Sequence, residues 1–216
     1  MATKDSRHTA SQSDAELIEI LGRERKALED ISNDGNTWKL YKEGDSYVSQ
    51  KSEEHSKDGT IVFKFVANYV STKDGEIAKD KLHEIMWNSS FEDYDTDVED
   101  KKILYTNEDK TLQVKYLREK FPWPCEKRDY ITAFAREYTE GGSYIWGVPV
   151  NYAFETPKKV VRGRESFTIK IEADGDKKCK MTSVYSFNAG GWIPQWMLNM
   201  GIADMLNTMV EIQKLL

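Results

Sequence analysis

"NAGGWIPQWMLNMGIADMLNTM", Asn188 to Met209, holds four of the chain's seven methionines and two of its six tryptophans. Leu198, Ile202, Met205, Met209, Ile212 and Leu216 recur at helical spacing and form one apolar stripe. Trp192, Trp196, Met200 and Ala203 form a second stripe beside it. The periodicity predicts a helix from near Ile193 to the last residue, about 24 residues and roughly 36 Å long. A plain surface helix needs one apolar stripe. Two fit a helix gripped on several sides, or one that covers a tunnel. Methionine is flexible and polarizable, so it serves either as core filler or as a wall that adapts to a variable guest. Gly190, Gly191 and Pro194 make a hinge-like lead-in. The tryptophans beside it either dip into a membrane interface or pack under a sheet.

Upstream of this helix the period changes. "KVVRGRESFTIKIEADGDKKCKMTSVYSF", "GGSYIWGVPVNYAFE", "RDYITAFAREY" and "KKILYTNEDKTLQVKY" read as strand after strand, with turns at "DGDKK", "EGG" and Asn107–Lys110. Further back, "DGEIAKDKLHEIMW" has helical spacing, and "TWKLYKEG", "GDSYVSQKSEE" and "TIVFKFVANYV" are strands. The chain opens with a helix, "SDAELIEILGRERKALEDI", whose Ser13 and Glu16 form a capping box. Residues 1–12 are polar and read as a disordered terminus. The order is helix, about three strands, helix, about six strands, long helix. Consecutive strands pair antiparallel, so the class is α+β. A twisted sheet of this size curls around its helix, and its concave face either packs dry or encloses a cavity.

Composition narrows the function. The chain has 216 residues, 39% hydrophobic and 31% charged, with a formal net charge of −6. That suits one domain with a real core. It argues against a nucleic-acid partner, which needs a basic patch. Cys125 and Cys179 make neither a disulfide framework nor a metal cluster. The N-terminus lacks the apolar core of a signal peptide, and no segment has the length of a membrane span. A reducing, cytoplasmic setting is expected.

Catalytic sets are missing from the sequence. The histidines are His8, His55 and His83, with no H-x-x-x-H, no G-x-S-x-G and no phosphate-binding glycine loop. Cys125 has no histidine near it in sequence. The acidic run Glu92–Asp100 reads as a solvated surface before it reads as a calcium site. Asp204, in mid-helix, is the best acid–base candidate. The strand after "FPWPCEK" is more informative. Tyr130, Thr132, Phe134 and Arg136 share one face, and Ile131, Ala133, Ala135 and Glu137 the other. An arginine on a bulky apolar face either meets an anion or snorkels to solvent at the strand end.

Several stretches, in order, resemble the START (steroidogenic acute regulatory protein-related lipid transfer) domain: "MWNSSFEDYD", "LQVKY", "FPWPCEKRDYI", "KVVRG" and "CKMTSVYSFNAGGWIPQWMLN". The resemblance covers residues 13–216. "PWPCEKRDYI" and "GGWIPQW" are most similar to the phosphatidylcholine-transfer branch. It implies a helix-grip fold, with a curved antiparallel sheet of about nine strands around the long C-terminal helix and a hydrophobic tunnel between them. It implies a monomer that binds one lipid, most closely a phospholipid, touches membrane surfaces transiently and carries the lipid between them. No cofactor, metal or covalent step is implied. The alternatives are a sterol or sphingolipid carrier or sensor, or an enzyme of the wider helix-grip superfamily. The residues so expected at the ligand are Trp87, Asn88, Tyr116, Thr132, Phe134, Arg136, Trp192, Trp196, Met197, Met200, Met205 and Met209. The chain departs from the family at the head-group positions. The arginine and aspartate that flank the branch's tryptophan are matched by Glu84 and Asn88 around Trp87. The cholesterol branch's buried arginine is matched by Phe134. "LREK" (117–120) looks like an insertion. Arg136 is therefore expected as a replacement anchor for a phosphate or hydroxyl.

Overall fold

A computed structural model describes residues 13–35, 37–88 and 97–216. The expected disordered terminus and the first part of the acidic run lie outside these residues. Helix α1 (Asp14–Asn33) begins at the anticipated capping box: Glu16 N donates to Ser13 Oγ, and Ser13 N to Glu16 Oε2 at 2.8 Å. Strands β1 (Trp38–Gly44), β2 (Tyr47–Ser52) and β3 (Thr60–Val70) follow, then α2 (Ala78–Asn88). Strands β4 (Val98–Thr106), β5 (Leu112–Glu119), β6 (Lys127–Thr139), β7 (Gly142–Pro149), β8 (Val160–Arg162), β9 (Arg164–Ala173) and β10 (Lys178–Asn188) complete one curved sheet.

Nine strands run in the order β1-β2-β3-β10-β9-β7-β6-β5-β4, each antiparallel to its neighbours. The short β8 departs from the expected all-antiparallel pattern. It pairs parallel to the start of β6, Arg128 opposite Val161. Gly163 breaks the run between β8 and β9, and the ring of Tyr130 fills the space that a Cβ there would need.

The last helix is shorter than its periodicity predicted. Helix α3 spans Gln195–Glu211, and Ile212–Leu215 tighten into a 3-10 turn. Pro194 is its N-cap and offers no side-chain acceptor, so the helix cannot reach back to Ile193.

The alternation along each inner strand assigns two faces. On the outer face, Leu17 and Leu21 of α1 pack against Val114, Ile131, Ala133, Ala135 and Val148. On the inner face, Phe63, Phe65, Phe134, Ile145, Phe167, Ile169 and Met181 meet α2 and α3. Burying each large side chain contributes roughly 1.5–3 kcal/mol. The Tyr69 hydroxyl donates to the Met209 carbonyl at 2.7 Å and ties α3 to β3. No helix among the described residues is long and apolar enough to cross a membrane.

Candidate functional site

The inner face is not filled. A cavity of about 260 Å3 lies between β6, β9, β10 and α3. A second lobe of about 230 Å3 adjoins it between β5, β6 and the end of α2. The lobes share Leu117, Tyr130, Phe134 and Glu165 as wall, so they are neighbours. The larger lobe is walled by Phe134, Phe167 and Tyr185 from the sheet and by Met197, Met200, Met205 and Met209 from α3. It is therefore mainly apolar, as small-molecule sites are.

Gly147 on β7 makes room for the ring of Phe167, which walls this space. A Cβ there would sit 2.4 Å from the ring of Phe167 and 3.0 Å from Thr132. With hydrogen in its place, Phe167 and Phe134 meet edge to face above it, centroids 5.0 Å apart. Thr132 and Glu165 meet at the end of the same strand, Thr132 Oγ1 donating to Glu165 Oε1 at 2.8 Å.

Glu165 faces the cavity and is otherwise surrounded by protein. Desolvation pushes its pKa above the usual carboxylate range, opposed by the Thr132 hydrogen bond and the charge of Lys115. Lys115 borders the smaller lobe, donates to the Trp87 carbonyl and lies 4.1 Å from the centre of the Phe134 ring. Tyr130 borders both lobes, and its hydroxyl is buried with no hydrogen-bond partner among the described residues. Burial raises its pKa well above that of a free phenol.

The residues expected from sequence divide into those that border the space and those that do not. Asn88, Thr132, Phe134, Met197, Met200, Met205 and Met209 border it. Tyr116 touches its edge, but its ring belongs to the outer cluster, 4.4 Å from Phe154. Trp87 is buried beside the cavity in the inner core. Trp192 and Trp196 are 74% and 53% exposed and border neither lobe. The two tryptophans thus turn outward, while Met200 of the same stripe still borders the larger lobe.

Arg136 lies away from both lobes. Its Nη1 donates to Glu84 Oε1 at 3.2 Å and its Nε to the Lys110 carbonyl at 3.1 Å, while its guanidinium lies 4.6 Å from the centre of the Trp87 ring. Facing parity placed it correctly on the inner side of β6, but at that height α2 closes the space. Glu84 and Arg136 form a pair on the rim instead.

Two buried groups went unnoticed in the sequence. Arg128, 2% exposed, donates through Nε to the Ala189 carbonyl at 2.7 Å and through Nη2 to the Gly190 carbonyl at 3.3 Å. Gly190 and Gly191 hold φ of +69° and +61°. The hinge-like lead-in is thus a pinned corner. Asp129, 0% exposed, accepts both Nε and Nη2 of Arg162, at 2.7 and 2.9 Å, and locks β8 to β6. Near the far end of α2, His83 Nδ1 bonds Ser143 Oγ at 2.8 Å, and burial pushes the imidazole down to about 4. Asp204 stands at the exposed rim of the larger lobe. Of the acidic run, Glu99 is described and pairs with Lys127 and Arg118 at 2.6 and 3.3 Å. No group of His, Cys, Asp and Glu among the described residues could hold a metal.

A long helix gripped by a curved antiparallel sheet, with an apolar cavity between them, defines a helix-grip protein. The model of the START domain matches residues 22–215, and the chain belongs to that family. The phosphatidylcholine transfer protein of Mus musculus is 32% identical over 120 residues, 51% of this chain and 56% of that protein. The human phosphatidylcholine transfer protein is 30% identical over 104 residues, covering 45% and 49%. The chain thus spans about half the length of the curated relatives it matches. Among solved structures, human StAR-related lipid transfer protein 5 superimposes with a TM-score of 0.75 at 14% identity, covering 94% of this chain and 97% of that one. Human STARD10 gives 0.73 at 15%, covering 95% and 80%. At such identities these structures speak for the fold alone.

Proposed function

We propose that this chain holds one phospholipid in the space between the inner face and α3 and carries it between membranes with no chemical step. The observation that carries this reading is the cavity's polarity gradient. Methionines and aromatic rings line much of the larger lobe, with Asp97, Glu119, Lys120 and Asp204 also on its wall, while Lys115, Thr132, Tyr130 and Glu165 line the smaller lobe. Acyl chains match the first and a head group the second. The methionines of α3 let one wall fit chains of different length. The relatives' names point the same way.

Loading requires transient contact with a bilayer. Trp123, 90% exposed, stands on the β5–β6 loop, and Trp192 and Trp196 stand at the start of α3. The thiol of Cys125 lies 3.9 Å from the Trp192 carbonyl, which brings that loop against the start of the helix. Exposed tryptophans so placed suit the membrane–water interface. The carrier works as a cytoplasmic monomer, without nucleic acid or cofactor.

The test is native mass spectrometry after incubation with mixed liposomes, paired with a vesicle-to-vesicle transfer assay. A one-to-one phospholipid adduct and accelerated transfer are expected. Sterol or sphingolipid adducts alone would replace phospholipid as the cargo, and no adduct with any lipid would end the carrier reading.

A further inference from the structure

One face of the molecule gathers its exposed indoles beside the larger lobe. Phe121 and Pro122 of the β5–β6 loop line that lobe from one side, and Met197, Met200 and Gly201 of α3 from another. Next to these lining residues in the chain stand Trp123, Trp192 and Trp196, all exposed, and Met200 is itself exposed. The contact of the Cys125 thiol with the Trp192 carbonyl keeps loop and helix together. Single exposed apolar residues are ordinary on a protein surface. Several large ones on adjoining elements make a patch that burial in an apolar medium stabilises.

Charge decides which medium. The chain has no lysine or arginine from Met181 to Gln213, and the charged residues of α3 are Asp204 and Glu211. In the loop, Lys127 pairs with Glu99 at 2.6 Å, and Lys120 and Glu126 oppose each other in sign. Lys158 and Lys159 lead into β8, outside both tryptophan-bearing elements. A helix that docks on an anionic surface carries lysines and arginines along its polar face. This one carries none, and a formal net charge of −6 opposes such a surface. Indole rings seat at the headgroup level through their amphipathic shape, with no need of opposite charge. A bilayer is also soft, so it accommodates rings that project from two separate elements.

Resting on the carrier reading above, we propose that Trp123, Trp192, Trp196 and Met200 form a docking face for electrically neutral membrane surfaces, their side chains inserting among zwitterionic head groups and bringing the larger lobe to the bilayer. Anionic lipid adds nothing to this attraction. The chain therefore loads and unloads at zwitterionic bilayers in preference to acidic ones.

The experiment floats the full chain with vesicles of choline-headed phospholipid, and with vesicles that also hold serine-headed phospholipid, at low and high salt. Wild type should bind the neutral vesicles, bind the anionic ones no better, and lose nothing as salt rises. Trp192→Ser should lower binding to neutral vesicles about tenfold, since the apolar area of one exposed indole is enough for that ratio. Adding Trp123→Ser and Trp196→Ser should lower it further. All three positions are exposed and border neither lobe, so lipid delivered from detergent micelles should still load the triple variant as it loads wild type. Binding that requires serine-headed lipid, or that high salt abolishes, overturns the proposal, as does unchanged binding in the triple variant. A solution dimer that the triple variant dissolves assigns the face to a second copy and overturns it too. A micelle-loaded adduct without any vesicle binding sinks this inference and leaves the lipid-binding reading, whereas no adduct from any source removes the carrier and this inference with it.

Discussion

On the outer side of β6, Ile131, Ala133 and Ala135 meet Leu17 and Leu21 of α1. On its inner side, Tyr130, Thr132 and Phe134 border an open space against α3. Successive residues of one strand therefore lie in a filled core and in a cavity wall. The partners make the difference. Helix α1 lays short, branched side chains on the small residues Ala133 and Ala135 and can approach closely. Helix α3 meets a face of large rings, with Phe167 and Phe134 packed edge to face over Gly147, and a cavity stays open between them and the helix. Filled packing stabilises the fold, while the space left on the other side gives it somewhere to put a ligand.

The sharpest way to break this comparison is to truncate one residue on each side. Leu21→Ala on the outer side should cost roughly 3–4 kcal/mol in chemical denaturation, because it hollows a filled core. Met205→Ala, at the cavity wall, should cost about 1 kcal/mol or less and should alter lipid loading more than stability. Equal costs would mean that the inner face is packed as tightly as the outer.

His83 tests the part of the inner face that protein does fill. Its folded pKa of about 4 lies below the ordinary value of 6.5, so the unfolded chain takes up the proton first. Its contribution to stability is complete above about pH 6.5 and falls away as the pH drops toward 4. The loss amounts to as much as about 3 kcal/mol. Denaturant titrations of wild type and His83→Gln across this window should show the slope in the wild type only.

The smallest effect has the opposite sign. Glu165 has a raised pKa in the fold, so the folded chain binds its proton more tightly than the unfolded one, and stability falls as the pH climbs from the usual carboxylate value through the raised one. Lipid-free Glu165→Gln should therefore have a Tm a few degrees above wild type at pH 7. The gap should close on acidification. A lower Tm at pH 7 would show that the carboxylate serves the fold and not a ligand.

Much of the architecture was legible along the chain. The capping box of α1, the inward stripe of α3 and the two faces of β6 all follow from local periodicity, which is why they hold in three dimensions. The site was legible only in part. The argument that singled out Arg136, a charge on an apolar face, applies equally to Glu165, which shares its parity with Phe167, Ile169 and Ile171. It lies inside "RGRES", where neighbouring charges mask the alternation at the start of the strand. Conversely, Arg136 looked free because its partner, Glu84, sits on a separate helix far back in the chain.

The sequence by itself determined most of the elements and their faces, because backbone propensity and side-chain alternation are local, and its motifs carried the family resemblance. The tertiary structure decided which inward side chains meet. The register of β6, β7 and β9 sets Thr132 against Glu165, and the missing side chain of Gly147 lets the Phe167 ring pack beside them. Electrostatic and packing partners of this kind are chosen by distance in space, which a linear pattern does not contain.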